Sequence, residues 1–439
     1  MTSSTDLPQE VDALLREAYP PAAPGAAVIA VKNREIVLRK GYGLANLELG
    51  IPIAPDMVFL LGSITKQFTA VAILMLVEQG QVALGDPITK FLPDFPTQNH
   101  TVTVEHLLTH TSGIHSHEDV PEWLPLQRRD FGVQELIDSF KDQPMQCAPG
   151  TRWAENNMGY ILLGAIIERV SGQSYERFIQ ERIFDSLGMR HSYYDSGRRI
   201  IPGRVSGYEK APDGYTNAEY ISLNEPHAAG ALASTVDDLA RWDAALHAGE
   251  LVSTTTLQRA WTSYRLSDGT RTGYGYGWSV GTWRGRSTAE HQGIINGIRT
   301  YLLRMPEEDV FVAILSNCYG GMHPELAGLK VAALLVGQPY QEPVPARVSP
   351  EQLSACAGIY QFPIMGERVV VPEGDHLIYG PLEGWRLRLV PLSPTEFCFP
   401  NLPDSGMIFT MDKSGRCLGA ELYRRQGDPQ VATRRDIPG

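Results

Sequence analysis

Phe59-Leu-Leu-Gly-Ser63-Ile-Thr-Lys66-Gln-Phe-Thr-Ala70 is the stretch on which the reading of this chain turns. From Phe68 to Val77 the residues are almost all apolar, with no proline or glycine until Gly80. Such a run reads as a buried helix. Ser63 and Lys66 stand at its entrance, three apart, and so share one helical face about a turn apart. A serine hydroxyl is a weak nucleophile until a base removes its proton. A lysine can be that base when burial draws its pKa towards neutrality, and the apolar residues that follow would provide the low dielectric. S-x-x-K alone is a weak signal, because four-residue patterns recur by chance. A lysine at the start of a buried helix is the part that needs a reason.

Working outward, 25–31 and 35–40 read as two strands of a hairpin turning at Lys32-Asn33-Arg34. Helices are expected over 133–140, 160–170, 175–187 and 236–248, the last capped by Ser234-Thr235 ahead of Asp237-Asp238. Strands follow over 276–280, 297–304 and 310–316. Strands, then helices, then strands fit a mixed α/β (α+β) fold, an antiparallel sheet with a helical lobe inserted between its parts. Four prolines between Pro339 and Pro350 mark a semi-rigid linker. Beyond it come six short β-runs, at 369–371, 377–379, 387–390, 397–399, 407–411 and 418–423, broken by turns such as Glu373-Gly374-Asp375. The expected organisation is a domain over 1–338, a linker over 339–350, and an all-β sandwich or barrel over 351–439.

Further along stand Val104-Glu-His-Leu-Leu-Thr-His110-Thr-Ser-Gly113, Pro149-Gly-Thr-Arg152, Asn157-Met-Gly-Tyr160, Gly230-Ala-Leu-Ala-Ser-Thr-Val-Asp-Asp238, His291-Gln-Gly293 and Ala313-Ile-Leu-Ser-Asn317. With the Ser63 segment, these words resemble in order the serine β-lactamases and penicillin-binding proteins, above all the class C β-lactamase, D-aminopeptidase and esterase branch. The likeness spans roughly 15–337. It implies a serine β-lactamase-like fold, an acyl-enzyme on Ser63, and Lys66 as its activator. It also implies that His291 lies on an edge strand lining the pocket, where it helps bind substrate or tunes the charge of the site. Asn157 and Gly293 take the family's substrate-binding places. Backbone amides near Ser63 and just past His291 would form the oxyanion hole.

One position departs from the pattern. The family's Y-x-N is here Glu155-Asn156-Asn157, so Glu155 stands where relatives carry a tyrosine that shuttles a proton. A glutamate is ionised at neutral pH and can act as a base, but its charge would oppose a developing oxyanion. Three readings stay open: Glu155 replaces the base, recognises a substrate ammonium, or marks an impaired site. The resemblance implies small esters or D-amino-acid-containing peptides as substrates. The rivals are a true β-lactamase or D,D-peptidase, and a silent relative that binds peptide or cell-wall fragments without turnover.

The bulk numbers bound the partners. A net charge of -12 and no basic run argue against nucleic acid or an anionic membrane. With 43% hydrophobic and 20% charged residues, the 439-residue chain reads as soluble and globular. Neither a signal peptide nor a membrane-spanning run is visible, so a cytoplasmic location is the expectation. A small molecule or short peptide is the expected partner; the sequence leaves the oligomeric state open. The five cysteines are scattered and read as buried thiols. His106 and His110, four apart on an expected helix, read as structural, and His115-Ser-His117-Glu-Asp119 reads as a solvated loop. No metal or cofactor is expected. Trp153, Tyr274, Tyr276 and Trp278 read as core, and His227 is given no role.

Overall fold

The computed structural model describes residues 7–116, 123, 127–363, 365–382, 384–402 and 404–435. Of the His115–Asp119 loop, His117 to Asp119 lie outside them. The first hairpin forms as read: β1 (Ala26–Lys32) and β2 (Glu35–Tyr42) meet at Asn33 and Arg34, both with positive φ. Four later strands complete an antiparallel sheet: β3 (Ser279–Trp283), β4 (Arg286–Ile295), β5 (Ile298–Met305) and β6 (Val310–Ser316). Their order is β3-β4-β5-β6-β1-β2. Every residue of β6 is buried, because both faces of the sheet are covered. One face packs on α1 (Leu7–Ala18) and α8 (Pro324–Leu335). Such a strand reads as an unbroken apolar run rather than an alternation.

The other face carries the helical lobe. It holds α2 (Thr65–Glu78), α3 (Val104–Leu108), α4 (Val133–Phe140), α5 (Asn157–Ser171), α6 (Val236–Ala248) and α7 (Thr254–Ala260). In α2 every residue from Thr65 to Leu76 is buried, Lys66 included. That explains why its apolar residues show no single face, and it is what puts a lysine inside the core. No helix among the described residues is long and apolar enough to cross a membrane.

Two expectations need correction. The strand expected over 276–280 begins only at Ser279, because Gly277 takes a positive φ of 85° and turns the chain. β3 pairs with β4 only as far as Glu290, so His291 stands on the second strand of the sheet at the point where its outer edge becomes unpaired. His110 does not share a helix with His106: α3 ends at Leu108, and His110 has a φ of 58°.

After the proline-rich segment, Ser349 caps a short helix, Pro350–Cys356, and eight strands close a barrel. They are β7 (Gly358–Phe362), β8 (Gly366–Glu373), β9 (His376–Gly380), β10 (Leu387–Pro391), β11 (Glu396–Cys398), β12 (Gly406–Met411), β13 (Cys417–Tyr423) and β14 (Gln430–Arg435). Inward residues including Tyr360, Phe362, Leu377, Tyr379, Phe397 and Phe409 fill the interior, as side chains do in an eight-stranded barrel. The loop from β13 to β14 leaves the barrel and straps the outer edge of β3. Gln426 bridges Gly281, and the Thr282 amide donates to the Arg425 carbonyl at 3.3 Å.

Candidate active site

The chain enters the site through Phe59–Leu60, which pairs with Ala233–Ser234, and then turns tightly at Gly62–Ile64. The turn is held from outside: Thr300 Oγ1 donates to the Leu61 carbonyl at 2.7 Å. Gly62 has a φ of 57°, and a Cβ there would lie 2.8 Å from the Ile294 nitrogen. A Cβ on Gly293 would lie 1.9 Å from the Leu61 carbonyl oxygen. These two glycines let β4 and the Ser63 turn approach backbone to backbone.

That approach brings the Ile294 amide to the Ser63 turn. Ile295 and Ile298 flank the two-residue turn Asn296-Gly297 and form the last pair of the β4–β5 hairpin. In such a hairpin the closing pair is hydrogen-bonded, so the Ile295 amide points inward to β5 and that of Ile294 points outward. Strand β3 pairs with β4 only along Arg286–Glu290 and covers no residue from His291 onward. The Ile294 amide therefore faces Gly62 and Ser63 from an open edge.

Lys66 Nζ lies 2.6 Å from Ser63 Oγ, 3.5 Å from the Ala229 carbonyl and 3.6 Å from Glu155 Oε1. The lysine side chain is fully buried and the glutamate side chain is half exposed. Burial pushes the Glu155 carboxyl up, but the Lys66 charge outweighs this and holds it below its ordinary value of 4.5.

Glu155 is carried by a rigid segment. The Asn156 side chain caps α5 by accepting from the Gly159 amide at 3.2 Å and donates to the Ile114 carbonyl at 2.5 Å. The Asn156 amide donates to His110 Nδ1 at 3.1 Å. Burial lowers the His110 pKa to about 3, so the ring is neutral and serves as an acceptor. Asn157, the first residue of α5, lines the cavity of about 350 Å³ that also holds Ser63.

Burial, and then the Lys66 charge, bring the His291 pKa down to about 4. The neutral ring has Nδ1 2.6 Å from the Gln292 carbonyl and Nε2 2.9 Å from the Tyr274 hydroxyl. A carbonyl only accepts, so Nδ1 carries the proton and Nε2 accepts from Tyr274. His291 is thus held at both ends. The sequence reading placed Tyr274 in the core; it is buried, and it also orients His291.

Ser63, Lys66, Glu155, Asn157, His291 and Gly293 are brought together around one cleft. His106 stays outside it and closes the cap of α3 with Thr103. His227 is buried against Tyr194 and Tyr175. Sequence reasoning missed two carboxylates, Glu209 and Glu225, that line the Ser63 cavity. It also missed Arg424 and Gln426 from the barrel, which line a second cavity beside Glu155 and His291. No local pattern marks any of the four.

A serine beside a buried lysine, on a tight turn packed against an antiparallel sheet, is the arrangement of the penicillin-recognising serine hydrolase family. The Beta-lactamase family model matches residues 11–336, and the chain belongs to that family. It is similar to penicillin-binding protein 4* of Bacillus subtilis (strain 168), with 30% identity over 399 residues, 84% of this chain and 86% of the relative. It is also similar to the octameric penicillin-binding protein homologue from Pyrococcus abyssi, with 26% identity and a TM-score of 0.69. That match covers 98% of this chain, barrel included, and 100% of the other. A third likeness is to a D-stereospecific amidohydrolase from Streptomyces sp., at 25% identity and a TM-score of 0.60 over 71% of this chain and 94% of that one.

Proposed function

We propose that the protein hydrolyses esters or amides of D-amino acids bearing a free ammonium, through an acyl-enzyme on Ser63. The carrying observation is the line Ser63 Oγ, Lys66 Nζ, Glu155 carboxylate, with contacts of 2.6 and 3.6 Å. As Ser63 Oγ attacks the carbonyl carbon, its proton passes to Lys66 Nζ, and Lys66 passes one of its own to Glu155. The amides of Ser63 and Ile294 meet the oxyanion where its charge develops. When the adduct collapses, the bond to the leaving nitrogen or oxygen breaks and Glu155, through Lys66, returns the proton to it. Water then repeats the sequence on the acyl carbon and frees Ser63. In this scheme Glu155 takes the place of the family's tyrosine, and His291 positions the strand.

The substrate class rests on charge. Glu209 and Glu225 line the Ser63 cavity, and no Lys, Arg or His is among the described residues lining it. An acyl group carrying an ammonium suits that lining better than one carrying a carboxylate. The likeness to a D-stereospecific amidohydrolase supports the D configuration.

The test is intact-mass labelling with a fluorophosphonate, followed by turnover of D- and L-amino-acid p-nitroanilides and their N-acetylated forms. Labelling and turnover are expected in the wild type and lost in Ser63→Ala, with the free D-amine preferred. A preference for the N-acetylated compounds would overturn the ammonium reading. A wild type that binds these compounds without labelling or turnover would be a binding protein instead.

A further inference from the structure

Lys66 can pass a proton between Ser63 and Glu155 only while its Nζ is held between them. Part of that hold comes from the Ala229 carbonyl, 3.5 Å from Lys66 Nζ. Ala229 belongs to a single helical turn, His227–Gly230. With Glu225 and Pro226 before it, this turn forms one wall of the Ser63 cavity through Ala229 and Gly230. Whatever fixes the turn therefore also fixes Lys66.

On the side of α2 the turn is fixed through its backbone. Thr69 Oγ1 donates to the Ala228 carbonyl at 2.6 Å and accepts from the Tyr175 hydroxyl at 2.7 Å. Thr65 Oγ1 accepts from the Leu232 amide, two residues past the turn, at 3.1 Å. On the other side a single side chain takes over. His227 opens the turn with a φ of 35°, a left-handed value that costs energy in any residue with a Cβ. Its buried ring has its centroid 5.0 Å from that of Tyr175 and 5.9 Å from that of Tyr194. Nδ1 lies 3.1 Å from the Tyr194 hydroxyl. A Cβ on Gly164 of α5 would lie 3.0 Å from His227 Nε2 and 2.6 Å from the Ala228 Cβ. The ring thus sits flush on the helix backbone. Burial lowers its pKa to about 4, so at neutral pH it brings no charge towards Lys66. Tyr194 is anchored in turn: it pairs with Leu232, and the next two residues pair with Phe59 and Leu60 at the entrance to the Ser63 turn.

We propose that His227 is a positioning residue for Lys66, its ring clamping the turn so that the Ala229 carbonyl holds the ammonium between Ser63 Oγ and Glu155. The inference rests on the acyl-enzyme reading above and extends it to a residue that touches neither substrate nor reacting atoms. A strained backbone persists only where its surroundings over-determine it, and here they do so one residue from the wall of the nucleophile's cavity.

The experiment labels Ser63 to completion with a fluorophosphonate to count active sites, then measures kcat and KM per site on a free D-amino-acid p-nitroanilide. It compares wild type with His227→Ala, His227→Asn and Tyr194→Phe. Loss of folded protein lowers the number of sites and not the rate at each. His227→Ala should lower kcat per site about ten- to a hundredfold, the worth of a hydrogen bond to a charged group, with KM unchanged. His227→Asn should restore most of it, because asparagine tolerates the left-handed backbone and its amide reaches Tyr194 from the place of Nδ1. Tyr194→Phe keeps the ring and removes its bond, and should lower kcat by about two- to tenfold. If His227→Ala does not fold, Tyr194→Phe decides alone. Wild-type kcat in His227→Ala or in Tyr194→Phe, a loss confined to KM, or a His227→Asn no faster than His227→Ala overturns the role of His227 and leaves the hydrolase intact. A wild type that neither labels nor turns over overturns the acyl-enzyme reading, and this one with it.

Discussion

Strand β4 behaves as two strands joined end to end. From Arg286 to Glu290 its outer edge is paired with β3, Ala289 and Glu290 are paired with β5 as well, and Glu290 is tied through Arg425 to the strap from the barrel. From His291 to Ile294 the inner edge is still paired, while the outer edge faces Ser63 and the cleft. One half is closed because sheets stabilise themselves by satisfying every amide. In the proposed mechanism the other is open because an amide that must meet a transition-state charge has to be kept out of the ladder. A single strand supplies rigidity at one end and an unfilled donor at the other, and the first is what aims the second.

Four changes would break or sharpen that contrast. The largest effect is expected at Glu155, the proton carrier of the proposed mechanism. Glu155→Gln should lower kcat by about 10²–10⁴, the usual worth of a positioned proton carrier. Activity needs its ionised form, and its pKa lies below 4.5, so wild-type activity should be lost only as pH falls below that value. His291, neutral above about 4, should add no inflection between pH 5 and 8. A kcat profile that falls near pH 6.5 would contradict both assignments.

In the closed half, Arg425→Met leaves Glu290 and Glu325 without their cation. Breaking a buried pair on one side costs about 3–5 kcal/mol, read by urea denaturation, while kcat of the folded fraction should fall less than tenfold. Equal losses of stability and kcat would show that the two halves do not act separately. In the open half, Gly293→Ala forces a methyl group against the Leu61 carbonyl and spreads the amides of Ser63 and Ile294. A loss of about 10²–10³ in kcat is expected, similar to removing one oxyanion donor; near wild-type kinetics would show that the Ile294 amide plays no part. The smallest effect belongs to Tyr274→Phe. It takes the donor from His291 Nε2 and should lower kcat by about tenfold or less, near 1 kcal/mol, with KM unchanged.

The catalytic domain was legible because its chemistry sits in short words. Ser63 and Lys66 are one helical turn apart, and Glu155 and Asn157 stand on either side of Asn156, the cap of α5. What escaped was set by partners distant in sequence. Glu209, Glu225 and Arg424 carry no local mark until the fold brings them to cavity walls, and the charge of a cavity is a sum no local pattern contains. The barrel was read with six strands and has eight. Gly358–Phe362 starts on a glycine, and Gln430–Arg435 is polar, since alternate residues of each face outward. The sandwich and the barrel share that alternation, and only the pairing of β7 with β14 distinguishes them.

The strap at Gln426 has one more consequence. Strand β3 is the margin of the catalytic sheet, and Gly281 and Thr282 are covered by a segment that comes from beyond residue 420. A chain ending at residue 337 would expose that margin as a template for strand addition by another molecule. By this logic the barrel guards against aggregation, and a shortened protein would be expected to self-associate before it unfolds.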